Sequence, residues 1–206
     1  MIHLIGAGGH GKVVLDALLE SGVEPDAVRV RDGRPDREGE AFLNVIIDTP
    51  EIDEVLVGQD VHITVGDAAV RARLFVQAQA VGARVRTILH PAAQVSRFAT
   101  LGDGAFIAAM AVVGPSVVLG RSVIVNHGAV VDHDCRVGDF SHVAPQAALG
   151  GGVRIGARCL IGAGAVVLPG VVIGDDVILG AGAVAARDIA SNQTWTGVPA
   201  TPKDAS

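Results

Sequence analysis

The sequence predicts a two-part fold, with an α/β N-terminal half built on a parallel sheet and an all-β second half that forms a parallel β-helix of hexapeptide repeats. Three observations predict it. Short apolar runs alternate with helical patterns in the first half, a glycine-rich "GAGGHG" follows the first run, and a period of six residues governs the chain from Leu101 to Leu179. We therefore place the two domains at residues 1–86 and 87–206.

The first half alternates strand and helix patterns. Apolar residues recur at helical spacing from Val14 to Leu19, and Gly22 follows as a stop signal. We expect strands at 2–6, 27–32, within 54–67 and at 84–91, helices at 11–22 and 68–82, and a charged loop at 34–40. Strand, helix and strand in series indicate a small parallel sheet with helices on its faces.

The second half repeats a hexad whose first place, counted from Leu101, is always aliphatic. The fifth place is always small, and the second place is usually glycine. No helix or ordinary hairpin has this period, so we predict that three hexads close one triangular coil. The aliphatic residue fills the interior, the small residue fits a corner, and glycine relieves crowding in the turn.

Ionisable residues concentrate in one stretch of this apolar half, "VVDHDCRVGDFSHV" at Val130–Val143. Just before and within it, Asn126 and Asp132 replace the second-place glycine of consecutive hexads, while the aliphatic row stays intact. A preserved scaffold whose outward residues change character is typical of a functional site.

Two chemistries are open to this stretch. His127, His133 and His142 could suggest zinc, but they leave the coil in different directions and would have to converge from different subunits. Acid/base chemistry fits better, because the adjacent Asp134 carboxylate can orient the His133 imidazole and raise its basicity. We therefore expect no metal, and we expect Cys135, at a fifth place, to belong to the core.

Composition excludes several classes of function. The 206-residue chain has a net charge of −6, 3% aromatic residues and no tyrosine, so it lacks the basic surface and stacking rings of a nucleic-acid binder. Two cysteines are too few for a disulfide framework. We find no signal peptide and no apolar run long enough for a membrane span, and we expect a cytoplasmic protein.

Three motifs in order, "GAGGHGKVV", "NHGAVVDHDCRVGDFSHVAP" and "TGVPA", resemble the sugar O-acyltransferase family of hexapeptide-repeat transferases. This family includes bacterial nucleotide-amino-sugar N-acetyltransferases of the bacillosamine and perosamine type and sialic acid O-acetyltransferases. The resemblance covers nearly the whole chain. It implies that the β-helix is left-handed, that acetyl-CoA is the co-substrate, and that the protein is a homotrimer with active sites between neighbouring β-helices.

The resemblance also implies roles for individual residues of the β-helix. His133 corresponds to the general base, and Asp134 to the acidic residue that tunes it. His142 corresponds to a contact with acetyl-CoA, and backbone groups at Ala163 and Ala181 line the CoA channel.

The motif G-x-G-x-x-G is satisfied by Gly6, Gly8 and Gly11, between a strand and a helix, which by itself indicates NAD. The domain, however, spans only about half of a full Rossmann fold, and in the resembling family this half-Rossmann sheet binds the nucleotide part of a sugar substrate. Relatives often carry two acidic residues after the second strand, whereas Gly33 takes the second place here. The substrate-binding residues that we expect are Gly8, Gly9, His10, Asp32, Gly66 and, in the β-helix, Asn126.

The sequence thus predicts an enzyme that moves the acetyl group of acetyl-CoA to the amino group of a nucleotide-linked amino sugar, with a histidine general base and no covalent intermediate. O-acetylation of a sialic acid or another sugar hydroxyl is the alternative within the same class. A metal-dependent hydratase and a nucleotide-binding scaffold are alternatives from other classes.

Overall fold

The computed structural model describes residues 1–203 and divides the chain into two compact units, Met1–Pro91 and Ala92–Ser206. The division falls a few residues beyond residue 86, where the sequence analysis placed it. Neither of the two α-helices has the length and apolar character needed to cross a bilayer, and the described part of the chain holds no other helix that does.

The first unit contains a six-stranded sheet, two α-helices and one further short strand. Its elements are β1 (Ile2–Ile5), α1 (Gly9–Glu20), β2 (Val28–Arg31), β3 (Ala41–Phe42), β4 (Val45–Asp48), β5 (Asp60–Ile63), α2 (Ala68–Ala80), β6 (Arg84–Val85) and, outside that sheet, β7 (Ile88–Leu89), with short 3-10 turns at Pro25–Ala27, Pro35–Arg37 and Glu54–Leu56. The strand order is β3-β4-β2-β1-β5-β6, and all neighbours are parallel except β3 and β4. Leu4, Ile5, Val30 and Ile47 are fully buried in its core.

The hairpin of β3 and β4 is an element that the sequence analysis did not predict. Its turn passes through Leu43, whose φ is +52°. A left-handed turn residue is usually glycine or asparagine, so a leucine there gives no turn signal in the sequence. Tertiary packing stabilises β4, since its Val45 and Ile47 are buried in the core.

The second unit is a parallel β-helix of two-residue strands. These are β8 (Gln94–Val95), β9 (Thr100–Leu101), β10 (Phe106–Ile107), β11 (Val112–Val113), β12 (Val118–Leu119), β13 (Ile124–Val125), β14 (Val130–Val131), β15 (Arg136–Val137), β16 (His142–Val143), β17 (Ala148–Leu149), β18 (Arg154–Ile155), β19 (Leu160–Ile161), β20 (Val166–Val167), β21 (Val172–Ile173), β22 (Ile178–Leu179) and β23 (Val184–Ala185), followed by β24 (Thr194–Thr196) and β25 (Thr201–Pro202).

Each strand pairs in parallel with the strand one coil later, which builds three faces. Face A holds β8, β11, β14, β17, β20 and β23; face B holds β9, β12, β15, β18 and β21; face C holds β10, β13, β16, β19, β22 and β24, with β25 antiparallel at its end. The aliphatic first places from Ile107 to Leu179 are buried, as are all fifth places from Ala105 to Ala183. The predicted interior is confirmed.

Two hexad places have backbone requirements of different kinds. A Cβ at second-place Gly102 or Gly138 would lie 2.5 Å from backbone atoms of the next coil, so glycine there permits close stacking of coils. The left-handed residue is instead the fourth place, which has a positive φ in every hexad from Gly104 to Gly182. The crowding that second-place glycine relieves therefore lies between coils.

Candidate active site

His133 stands at the corner between faces A and B, directly after β14. Asp132 supplies a carboxylate oxygen that accepts a hydrogen bond from the His133 backbone N–H at 2.7 Å. Asp134 occupies the left-handed fourth place, with φ of +61°, a conformation that aspartate tolerates better than most residues. The polar residues of "DHD" thus satisfy the local turn, and the imidazole projects outward.

His133 and Asp134 form a hydrogen-bonded pair. Nδ1 of His133 lies 2.8 Å from Oδ2 of Asp134, so with an ionised carboxylate Nδ1 carries the proton and Nε2 presents its lone pair. The hydrogen bond that Nδ1 donates to Asp134, reinforced by the charge of Asp132, raises the pKa of His133 above its ordinary value. The pair has the arrangement of a general base and its orienting carboxylate.

Gly151 provides the space in which the imidazole lies. It sits one coil after His133, and a Cβ built on it would stand 2.6 Å from both Cε1 and Nε2 of the ring. The glycine that follows it, Gly152, donates its N–H to the His133 carbonyl at 2.9 Å. Neighbouring coils therefore fix both the backbone and the ring of His133.

We expect Gly151→Ala to displace the His133 ring while the coil stays folded, because the only atoms that the new methyl group meets within 3 Å belong to a side chain that can rotate. Loss of the bond to Asp134 should return the pKa of His133 toward its ordinary value. NMR titration of the imidazole resonances measures this pKa, with His133→Gln used to assign the signal. An unchanged titration curve would contradict the proposed contact.

His142 and Asn126 form a second polar pair, on face C. The amide Nδ2 of Asn126 lies 3.0 Å from Nε2 of His142, and the amide Oδ1 accepts the backbone N–H of His127 at 2.8 Å. Because Oδ1 is occupied, the amide nitrogen faces the imidazole and donates to Nε2. Asn126, predicted to bind substrate, therefore lies where it orients His142.

The corner between faces C and A carries the predicted CoA positions. Ala163 and Ala181 are exposed there, one coil apart, and the Gly182 N–H donates to the Ala163 carbonyl at 2.8 Å. Within one chain, the corner of His133 and the face of His142 are different parts of the β-helix. The structure therefore brings together His133 with Asp134, and His142 with Asn126, as two separate pairs.

Cys135 belongs to the core, as the sequence analysis expected. Its side chain is fully buried and donates to the Gly150 carbonyl at 3.2 Å. Burial raises the pKa of the Cys135 thiol, which keeps it protonated and unreactive. The other cysteine, Cys159, is likewise free and buried.

The first unit contains a pocket of about 260 Å³ at the carboxyl ends of β1, β2 and β5. It brings together all of the substrate-binding residues that the sequence analysis placed in this unit, namely Gly8, Gly9, His10, Asp32 and Gly66. Further lining residues include Arg34, Glu51, Thr64 and Val70. Ligands of open α/β sheets bind at this edge, beside the N-terminus of the first helix.

The glycines of the loop divide into structural and open positions. Gly6 has a φ of +119°, and a Cβ on Gly11 would stand 2.5 Å from the Gly6 carbonyl oxygen, so both serve the turn. At Gly8, Gly9 and Gly66, by contrast, a Cβ would meet no protein atom within 4 Å. Space kept open around uncapped first-turn amides of α1 suits an anionic ligand.

Asp32 organises the loop. Its carboxylate accepts the Ala7 N–H at 3.3 Å, the backbone N–H and Nε of Arg34 at 3.1 and 3.0 Å, and Nη1 of Arg37 at 3.1 Å. Burial alone would raise the pKa of Asp32, but the hydrogen bonds from Arg34 and Ala7 outweigh it and hold the pKa below its usual value. The carboxylate is therefore ionised and committed to protein donors.

Arg71 is a buried residue of α2 that sequence reasoning missed. Its Nη1 donates to the carbonyls of Val65 and Gly66 at 2.9 and 2.7 Å and so fixes the loop that forms one wall of the pocket. Burial lowers the pKa of Arg71 to about 10, which leaves it charged at neutral pH. An arginine within a helix that otherwise packs apolar residues gives no distinct signal in the sequence.

A metal centre was the competing interpretation of the histidines. Among residues 1–203, the structure shows no group of three or more His, Cys, Asp or Glu side chains arranged to hold a metal ion.

Two family models match the chain. The PglD N-terminal domain matches residues 1–78, and the bacterial transferase hexapeptide model, of six repeats, matches residues 152–187. No curated protein gives a significant match.

Solved structures match nearly the whole chain. A histidine-to-alanine variant of GDP-perosamine N-acetyltransferase from Caulobacter crescentus, in complex with CoA and GDP-perosamine, shares 37% identity with a TM-score of 0.90, over 99% of this chain and 97% of that one. The acetyltransferase domain of PglB from Neisseria gonorrhoeae, in complex with acetyl coenzyme A, shares 36% identity with a TM-score of 0.89, over 98% of each chain. WeeI from Acinetobacter baumannii shares only 17% identity, with a TM-score of 0.65, and supports the fold alone.

These matches confirm the predicted fold class, an α/β half-Rossmann sheet followed by a left-handed parallel β-helix of hexapeptide repeats.

Proposed function

Because the chain belongs to the hexapeptide-repeat sugar acyltransferases, we propose that it transfers the acetyl group of acetyl-CoA to the amino group of a nucleotide-linked amino sugar. The observation that carries this proposal is likeness over nearly the whole chain to enzymes whose structures hold CoA with GDP-perosamine, or acetyl-CoA. The pocket beside α1 would take the nucleotide, and the β-helix would take acetyl-CoA.

His133 would act as the general base. The sugar amine attacks the thioester carbonyl carbon, the C–S bond breaks as the amide C–N bond forms, and the CoA sulfur leaves with its bonding electrons. Nε2 of His133 accepts the proton from the amine nitrogen and can then pass it to the thiolate. Asp134, bonded to Nδ1 at 2.8 Å, stabilises the imidazolium that forms in between.

Release of free thiol from acetyl-CoA tests the proposal. We expect release with at least one member of a panel of UDP-, GDP- and dTDP-linked amino sugars, and a product that resists hydroxylamine because it is an amide. Product cleaved by hydroxylamine would indicate an ester and the alternative O-acetylation. Absence of thiol release across the panel would contradict the proposal.

Asp134→Asn is expected to move the acidic limb of the pH–kcat profile to lower pH. The base works only when His133 is neutral, so kcat falls as the pH drops through the pKa of His133. The hydrogen bond that His133 donates to the Asp134 carboxylate raises that pKa, so loss of the carboxylate lowers the pKa and moves the acidic limb to lower pH. Measurement of kcat from pH 5 to pH 9 decides this, and a limb that stays in place or moves upward would contradict the tuning role.

We further propose a homotrimer whose sites lie between neighbouring β-helices. In one chain the side chains of His133 and Asp134 are 57% and 64% exposed, so a second wall is needed to exclude water from the pair. A neighbouring copy could also bring face C, with Asn126 and His142, toward this corner.

Sedimentation is expected to give a particle of three times the 20.9 kDa chain mass at micromolar concentration. A stable monomer that retains full activity would contradict a shared site.

We propose a cytoplasmic location, since acetyl-CoA and nucleotide sugars are cytoplasmic metabolites. Buried, unpaired Cys135 and Cys159 suit a reducing compartment.

A further inference from the structure

Asp32 ends β2, the position from which an acidic residue commonly binds the ribose of a nucleotide. Here both of its oxygens are already engaged by the loop and by arginines: Oδ1 accepts two groups of Arg34, and Oδ2 accepts Ala7 N–H and Arg37. A ribose hydroxyl would have to displace one of these donors, which are charged or part of the glycine loop. The pocket therefore needs a different acceptor for a ribose.

Glu51 supplies a carboxylate at the adjoining position. Its Oε2 lies only 2.5 Å from the point where a Cβ on Gly33 would stand, so Glu51 fills the space that a side chain after Asp32 would otherwise occupy. Glu51 lines the same pocket as the glycine loop, and its side chain is 29% exposed. Its closest cation is Arg73, with Nη2 at 4.0 Å, beyond hydrogen-bond distance.

The segment that carries Glu51 is held firmly on both sides. Before it, Arg31 Nε donates to the Pro50 carbonyl at 2.9 Å, and the backbone N–H and hydroxyl of Thr49 donate to Glu38 at 2.6 and 2.7 Å. After it, Asp53 forms an ion pair with Arg31 at 2.5 Å. Because these contacts fix the backbone on both sides of Glu51, its carboxylate has a defined position at the pocket.

The Glu51 carboxylate favours a neutral hydrogen-bond donor, such as a hydroxyl group, as its partner in the ligand. An ionised carboxylate only accepts hydrogen bonds and repels phosphate, whereas the open first turn of α1 suits phosphate. The ribose lies next to the phosphates in any nucleotide. Glu51 lies against Gly33, the residue that follows Asp32, and Asp32 accepts the Ala7 N–H of the glycine loop. A ribose beside phosphates bound at this loop would therefore lie near Glu51. We propose that Glu51 binds the ribose hydroxyls of the nucleotide sugar and makes the enzyme selective for ribonucleotides; this inference rests on the proposed function.

Calorimetry with nucleoside diphosphates and their 2′-deoxy forms tests the proposal. We use the pairs GDP with 2′-deoxy-GDP and UDP with 2′-deoxy-UDP, so that either base is covered. A hydrogen bond to a charged group predicts that the wild type binds the ribose form of its preferred pair roughly tenfold to hundredfold more tightly. Glu51→Ala should reduce this ratio to about one, chiefly by weakening the ribose form.

Two further variants separate the carboxylate's position from its charge. Gly33→Ala keeps Glu51 but pushes its carboxylate away, because the new Cβ occupies the place of Oε2, and it should also reduce the ratio. Glu54→Gln removes the same charge from an exposed residue nearby that does not line the pocket, and it should leave the ratio unchanged.

Equal wild-type affinity for both forms, or a ratio unaffected by Glu51→Ala, would overturn the assignment of ribose while leaving the acetyl transfer intact. Equal weakening of GDP and 2′-deoxy-GDP in Glu51→Ala, with their ratio preserved, would place Glu51 against the base and would also overturn it. A wild type that binds dTDP but neither GDP nor UDP would overturn this inference alone, and one that binds none of the three would overturn both this inference and the nucleotide-sugar substrate of the proposed function.

Discussion

Replacement of His133 by alanine is expected to lower kcat for acetyl transfer by roughly 10²–10⁴-fold, the range usual for loss of a positioned proton acceptor. Removal of the proton is an interaction of the transition state, so the KM values of both substrates should change little. The His133 side chain is 57% exposed, so the variant should fold normally. Steady-state kinetics with a circular dichroism melt measures both expectations.

His127→Ala provides the matched comparison, because it removes an exposed imidazole from the same hexad place one face earlier. We expect its kcat to stay within a few-fold of the wild type. If the histidines instead held a metal ion, both variants would be inactive and would lose bound zinc. Metal analysis of the purified proteins detects that loss. Full activity of His133→Ala would exclude the mechanism proposed above.

Gly9→Asp is expected to weaken binding of the nucleotide substrate by at least about a hundredfold while acetyl-CoA binding stays unchanged. The new carboxylate would stand in the first turn of α1, where it repels phosphates and competes for the same amides. A Cβ at this position meets no protein atom within 4 Å, so the substitution does not strain the fold. Calorimetry with nucleoside diphosphates and with CoA measures the two affinities.

Two measurements distinguish a local effect of Gly9→Asp on the pocket from a general loss of folding. An acidic residue in the first turn of a helix is favourable, so the melting temperature of Gly9→Asp should equal or exceed that of the wild type. Gly22→Ala, at the opposite end of α1, is the control for a general effect of replacing glycine; it should lower stability because Gly22 has a φ of +86°, but spare nucleotide affinity. Equal loss of nucleotide and CoA binding in Gly9→Asp would contradict the assignment of the pocket.

The β-helix is the part of the molecule that the sequence predicts most fully. Every neighbour of a residue in this fold lies at a fixed offset along the chain, one coil away, so a strict pattern of six determines faces, interior and corners at once. The pair of His133 and Asp134 could also be predicted from the sequence, because the two residues are adjacent and the turn directs both side chains outward. The burial of Cys135 followed from its hexad place.

Several contacts in the first unit could not be predicted from the sequence. Its motif predicted a glycine-rich turn after the first strand, and in the structure Gly6 and Gly11 serve that turn while Gly8 leaves space. The engagement of Asp32 with Arg37, the hold of Arg71 on the Gly66 carbonyl and the approach of Glu51 to Gly33 carry no periodic signal. These contacts join segments through loops of irregular length, so their partners cannot be counted along the chain.

The sequence by itself thus determined the coil, its interior and the local chemistry of the "DHD" corner, because these depend on covalent spacing and on stacking at a constant interval. Only the tertiary structure decided that Asp32 is committed to arginines while the Glu51 carboxylate lies against Gly33, and that Gly151 makes room for the His133 ring. The physical reason is that the direction of a long side chain is set by the atoms packed around it, and those atoms come from segments whose distance in the chain does not fix their distance in space.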